Sequence, residues 1–102
     1  MKVYKLKYSK LAVEDVVRLA RYVTAIYTHD SARKYVAQLR TEIESLSYLA
    51  GLLQESKYEL PKLYHPQAKT LSVGKRKLTV IFHTEGEYVM IDKILPSCMI
   101  TH

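Results

Sequence analysis

Lys75-Arg76-Lys77-Leu78-Thr79-Val80-Ile81-Phe82-His83, then Glu85-Gly86-Glu87, then Tyr88-Val89-Met90-Ile91-Asp92-Lys93-Ile94-Leu95, is the stretch that decides the fold. A basic cluster leads into a β-branched run, an acidic glycine turn reverses it, and a second such run follows until Pro96 stops it. Two runs of this composition joined by a short turn read as a hairpin. Within the first run Leu78, Val80 and Phe82 share one face and Thr79, Ile81 and His83 the other. Only one face is fully apolar, so that face is expected to meet helices. A short strand over Lys69 to Val73, ending at Gly74, extends the hairpin to a three-stranded meander.

Upstream, Tyr4, Leu6 and Tyr8 alternate with Lys5 and Lys7, which predicts a half-buried strand over residues 2 to 8. Ser9 is placed to cap a helix, with Glu14 and Asp15 in its early turns, where a carboxylate suits the helix dipole. Ala12, Val16, Leu19, Ala20, Val23, Ile26 and Tyr27 then recur at helical spacing and form one apolar stripe, with Arg18 and Arg21 opposite. Thr28-His29-Asp30-Ser31 breaks the stripe, and Asp30 or Ser31 can cap a second helix. That helix carries Ala32, Tyr35, Val36, Leu39, Ile43, Leu46, Leu49 and Ala50, with Gly51 as its stop. Its charged residues, Arg33, Lys34, Arg40, Glu42 and Glu44, form a solvated face. Residues 51 to 68 are irregular, because Pro61 and Pro66 push their predecessors out of helical geometry. The expected fold is α+β: an N-terminal strand, an antiparallel helical hairpin, then an antiparallel three-stranded meander packed against the helices, with strand order left open.

With 102 residues and 48% hydrophobic content, the chain suits a single domain, residues 1–102, able to fold without staples. The one cysteine, Cys98, excludes an intrachain disulfide and reads as a small filler residue just past a strand. No stretch has the continuous apolar character of a signal peptide or a membrane span, so a soluble, cytoplasmic protein is expected. The net charge of +6 is unevenly spread. Residues 1–10 hold Lys2, Lys5, Lys7 and Lys10 with no acid, and residues 69–102 hold Lys69, Lys75, Arg76, Lys77 and Lys93 against Glu85, Glu87 and Asp92. Residues 11–68 are balanced, so the whole excess lies on the expected strands. Such a field attracts nucleic acid or an acidic protein segment.

His29, His65, His83 and His102 have no metal-ligand spacing with one another or with Cys98, and no metal or cofactor is expected. With three glycines in the chain, no phosphate-cradling loop can be built. What remains for function is Lys69, Lys75, Arg76, Lys77, Lys93, His83 and Tyr88 on and around the sheet. These could bind a phosphate backbone or stabilise developing charge, with His83 moving a proton. Each also has an ordinary role: solvated turn lysines, lysines that guard a sheet edge, and an aromatic that packs at a strand start. Among the nine tyrosines, Tyr27 and Tyr35 fit the buried stripes and Tyr22 and Tyr48 sit beside them, while Tyr58 and Tyr64 occupy the irregular segment.

The order of elements, Ser9 with Ala12 and the Glu14-Asp15 pair, Ala32 after a polar link, and the hairpin Leu78–His83/Tyr88–Leu95 together resemble the RelE/ParE superfamily of bacterial toxins, along nearly the whole chain. The resemblance implies the toxin of a type II toxin–antitoxin system, linked to growth inhibition and plasmid stabilisation. Its implied partner is a cognate antitoxin whose acidic or amphipathic tail meets the basic sheet and the hairpin. The RelE-like branch cuts messenger RNA on the ribosome; transferred here, that chemistry would rest on Lys69, Arg76 and His83. The ParE-like branch is thought to poison DNA gyrase by binding it. Aligning the ribonucleases' strand aromatic with Phe82 places Thr79 where they carry an arginine, and Pro96 stands where many members end with His or Arg. The tail Ser97-Cys98-Met99-Ile100-Thr101-His102 supplies no Arg, Lys or Tyr. These departures favour a ParE-like toxin that acts by binding a protein target, with Lys75, Arg76, Lys77, Lys93 and Tyr88 as the residues expected to bind a partner or nucleic acid. The alternatives are a RelE-like endoribonuclease and a catalytically inactive, toxin-like binding module.

Overall fold

Ser9 sets the geometry of the N-terminal half in the computed structural model, which describes residues 2–100. Its hydroxyl oxygen accepts the Ala12 N–H at 3.0 Å, capping helix α1 (Lys10–Ile26). The same hydroxyl donates to the Asp92 carbonyl at 2.8 Å, so the cap also ties α1 to the sheet. Strand β1 is shorter than its alternation suggested, running Lys5–Tyr8 rather than residues 2 to 8. Just before it the Tyr4 N–H, on the side away from β4, bonds the Ser47 carbonyl at 2.7 Å.

Helix α2 (His29–Glu44) begins two to three residues earlier than expected, because Thr28 supplies the cap, its hydroxyl oxygen accepting the Ser31 N–H at 3.2 Å. The hairpin link thereby contracts to Tyr27 and Thr28. The helical run to Ala50 is also corrected. Ser45 ends α2, and α3 (Leu46–Leu49) and a 3-10 turn, Ala50–Leu52, follow as separate elements. Ser45 donates its hydroxyl to the Glu42 carbonyl at 2.6 Å, a local bond of the kind that competes with helix continuation. Helix α4 (Glu59–Lys62) forms within the irregular segment with Pro61 inside it, contrary to the expected break at Leu60. Pro61 sits in the first turn, where its missing N–H has no helical partner to lose.

Strands β2 (Lys69–Val73), β3 (Leu78–Glu85) and β4 (Tyr88–Pro96) form the antiparallel meander, and β1 adds to β4 in parallel, for the order β1-β4-β3-β2. Pro96 is the last residue of β4 instead of lying beyond it. Pairing slips at one point: Ile81 faces Lys93 but Phe82 faces Ile91, which leaves Asp92 as the extra residue of a bulge. The bulge shifts the inward phase of β4, so Val89 and Ile91 before it and Ile94 after it all join one core. That core adds Ala12, Leu39, Ile43, Leu46, Val73, Val80 and Phe82, and it sits between the helices and the sheet.

The second sheet face, about which the alternation said only that it is less apolar, is covered too. Thr79, Ile81 and His83 are buried as well, at 5%, 0% and 7% exposure. Residues 53–68 fold back over this face, and Ala68, Ile81 and Ile100 form a smaller core with Leu60, Tyr64 and Leu95 against it. The apolar residues of the irregular segment need cover, and the prolines that deny them a long helix let them lie across the sheet as a strap.

Candidate partner-binding site

The basic cluster sits on a strained turn. Gly74, Lys75 and Arg76 all have positive φ, at 60°, 57° and 68°, and the Lys77 N–H closes the turn onto the Gly74 carbonyl at 3.2 Å. Holding Lys75 and Arg76 in the left-handed region costs about 1–2 kcal/mol each. The turn is held from the helices: the Glu42 carboxylate accepts the Gly74 N–H at 3.0 Å. Beside it the tip of the hairpin opens into a groove of about 640 Å³ lined by Tyr22, Ile26, Tyr27, Tyr35, Lys75 and Lys77. Tyr22, Ile26 and Tyr27 are 61%, 52% and 55% exposed, so the outer end of the expected buried stripe faces solvent. Burial, with Tyr27 and Glu42 nearby, raises the Tyr35 pKa above 10.0 and keeps its hydroxyl a neutral donor.

A second depression, about 430 Å³, lies between α1 and α2, where Val13, Val17 and Val36 form the apolar wall and Tyr8, Arg40 and Glu44 the polar end. Leu19 and Leu39 line both spaces, so they adjoin. Tyrosines over an apolar floor with lysines at the rim are the composition of a protein-binding hot spot, and they suit an amphipathic acidic segment.

The other residues singled out in the sequence are dispersed. Lys93 is ion-paired to the buried Asp15 of α1 at 2.7 Å, and Asp15 also accepts the Ile94 N–H at 3.0 Å. Asp15 therefore serves the sheet, contrary to its expected role at the helix dipole. Tyr88 lies at the other end of the sheet under the Lys7 ammonium, 4.4 Å from the ring centre. Lys69 donates to the Ala50 carbonyl at 3.0 Å, at the C-terminal end of α3. It pairs with Phe82, so Lys69 and His83 project from opposite sheet faces. Arg76 is exposed at the turn with Lys75 and Lys77. Thr79 shares a hydrogen bond with Ser97 at 2.8 Å. Cys98 is exposed instead of filling the interior. His102 and Thr101 lie outside the described residues.

His83 has neighbours that the sequence did not announce. Its Nδ1 bonds the Asp92 carboxylate at 2.7 Å, its Nε2 lies 3.7 Å from Glu85, and its ring stacks on His65 with centroids 3.7 Å apart and planes 3° from parallel. The His65 Nδ1 accepts the Gln67 N–H at 3.1 Å, which fixes the ring over its partner. Among the described residues no group of three or more His, Cys, Asp or Glu side chains converges to hold a metal. The uneven spacing Val89, Ile91, Ile94 was the one available signal that Asp92 is a bulge residue; nothing local connects His65 to His83.

No protein-family model matches the sequence, and no curated protein matches it. Among solved structures, the chain is similar to one described as the chromosomal ParDE toxin–antitoxin system from P. aeruginosa, with a TM-score of 0.76 at 18% sequence identity. The superposition covers 92% of this chain and 96% of that chain. At this identity the likeness establishes the shared α+β fold. No helix among the described residues is long and apolar enough to cross a membrane.

Proposed function

We propose that this protein is the toxin of a type II toxin–antitoxin pair, acting in the cytoplasm and neutralised by a cognate antitoxin. The observation that carries the reading is the fold shared, nearly end to end, with a chain of a ParDE system. The tyrosine–lysine groove supports it by offering a docking site of suitable chemistry: an amphipathic segment lays apolar residues against Tyr22, Ile26 and Tyr27 while its acids meet Lys75 and Lys77. The proposed activity is ParE-like, binding a protein target such as DNA gyrase. The separation of Lys69 from His83 across the sheet, and the absence of an arginine at Thr79, support binding over messenger cleavage.

Induced expression is the test. A gyrase-directed toxin arrests growth with an SOS response and intact messages, and co-expression of its cognate antitoxin restores growth. Messenger cleavage on ribosomes would overturn the ParE-like activity and favour the ribonuclease. Normal growth without either response would favour the inactive binding module.

A further inference from the structure

The cleft between α1 and α2 ends at a rim that carries both signs of charge. Val13 and Val17 of α1 line its outer part at 48% and 45% exposure, with the half-buried Val36 of α2 in the same wall. Val13 and Val17 lie one helical turn apart, so they present a single apolar ridge to solvent. At the polar end Arg40 and Glu44 are exposed on successive turns of α2. Their spacing allows them to pair with each other, but among the described residues the basic groups in ion pairs are Arg18, His83 and Lys93. Arg40 and Glu44 therefore both stand at the rim without a partner of opposite sign. Apart from Leu19 and Leu39, none of the residues lining the tyrosine–lysine groove lines this cleft.

A ligand of one sign matches this rim poorly. An acidic segment drawn to Arg40 is repelled by Glu44 one turn away, and a basic segment meets the reverse conflict. The complementary surface is a helix with a base and an acid in the opposite order, beside apolar residues of its own. The same α2, run antiparallel, has that order. A two-fold axis passing between Arg40 and Glu44 sets each arginine against the glutamate of the other copy, so one contact satisfies four charges.

We propose that a second copy of this chain packs against this rim, joining two helical hairpins through antiparallel α2 helices into a two-fold dimer. Arg40 meets the partner's Glu44 and Glu44 meets the partner's Arg40, while the ridges of Val13 and Val17 are withdrawn from water beside them. This contact does not depend on the toxin reading. Sedimentation velocity of the full chain, purified without any partner, tests it from micromolar to millimolar concentration. The chain should associate to a dimer in that range, more weakly as salt is raised. Arg40→Glu and Glu44→Arg should each weaken association by about tenfold or more, because symmetry turns both cross-pairs into like charges at once. An equimolar mixture of the two variants should regain it, since each supplies the charge that the other lacks at the facing position. The double variant Arg40→Glu/Glu44→Arg should also associate, which separates a lost contact from a lost fold. A chain that stays monomeric to millimolar concentration would overturn the proposal. So would a dimer indifferent to both single reversals, or a mixture and a double variant that associate no better than either single variant alone.

Discussion

Asp15 shows how one side chain can join two layers of the fold. It receives Lys93 and the Ile94 N–H on the side of β4 where β1 has ended, β3 pairing the other side, and Arg18 touches it at 3.3 Å from the surface. Asp15→Ala should lower stability by about 2–3 kcal/mol in urea unfolding, less than for a fully buried pair because Lys93 keeps some contact with water. Asp15→Asn, which retains an acceptor for Ile94, should cost less; equal losses for the two would remove the backbone bond from the account. Tyr8 provides a pH signature. Burial first, then Glu44, raise its pKa above 10.0, with Arg40 opposing. A raised value favours the neutral phenol, so this contribution to stability is complete below about pH 10 and is lost as pH rises through the folded-state pKa. In a near-ultraviolet titration of the native protein, Tyr8→Phe should delete absorbance that appears late, above pH 10. Loss of an early-ionising tyrosine instead would contradict the assignment. Neither role was legible beforehand: Asp15 reads as an ordinary early-turn carboxylate, and its partners lie 78 and 79 residues away.

At the level of elements, the β2–β3 turn links stability to the groove. An added Cβ at Gly74 would meet Leu39 Cδ2 at 3.1 Å in a left-handed backbone, whereas at Gly86, equally left-handed, nothing lies within 4 Å. Gly74→Ala should therefore cost more than the roughly 1–2 kcal/mol of backbone strain expected for Gly86→Ala, measured by thermal or urea unfolding. It should also weaken partner binding, since Leu39 lines the groove. Equal costs at the two glycines would mean that Leu39 gives way freely. The strands of the meander and the cap at Ser9 were legible because they follow from local alternation, turn residues and a hydroxyl at the right position. The covering of the second sheet face was not, because residues 53–68 bury Ala68 and Tyr64 against Ile81 and Ile100 through contacts that no local period encodes.

Across the whole molecule, charge and shape converge at the hairpin tip. Replacing Lys75, Arg76 and Lys77 together by alanine should weaken a charge-driven partner several-fold and flatten its salt dependence, with folding little changed because all three side chains are exposed. Calorimetric titration of the antitoxin at two salt concentrations measures this, and unchanged affinity would exclude the cluster from the interface. By itself the amino-acid sequence determined the α+β class, the order of elements, the uneven basic charge and the candidate residues, since periodicity, capping and composition are local properties. Only the tertiary structure decided which candidates meet. It set Lys75 and Lys77 beside the hairpin tyrosines, turned Lys69 and His83 to opposite faces, engaged Lys93 with Asp15, and added β1 in parallel beside β4. Those outcomes depend on pairing register and on a one-residue bulge, which change the face or partner of a side chain while leaving the local pattern of the sequence the same.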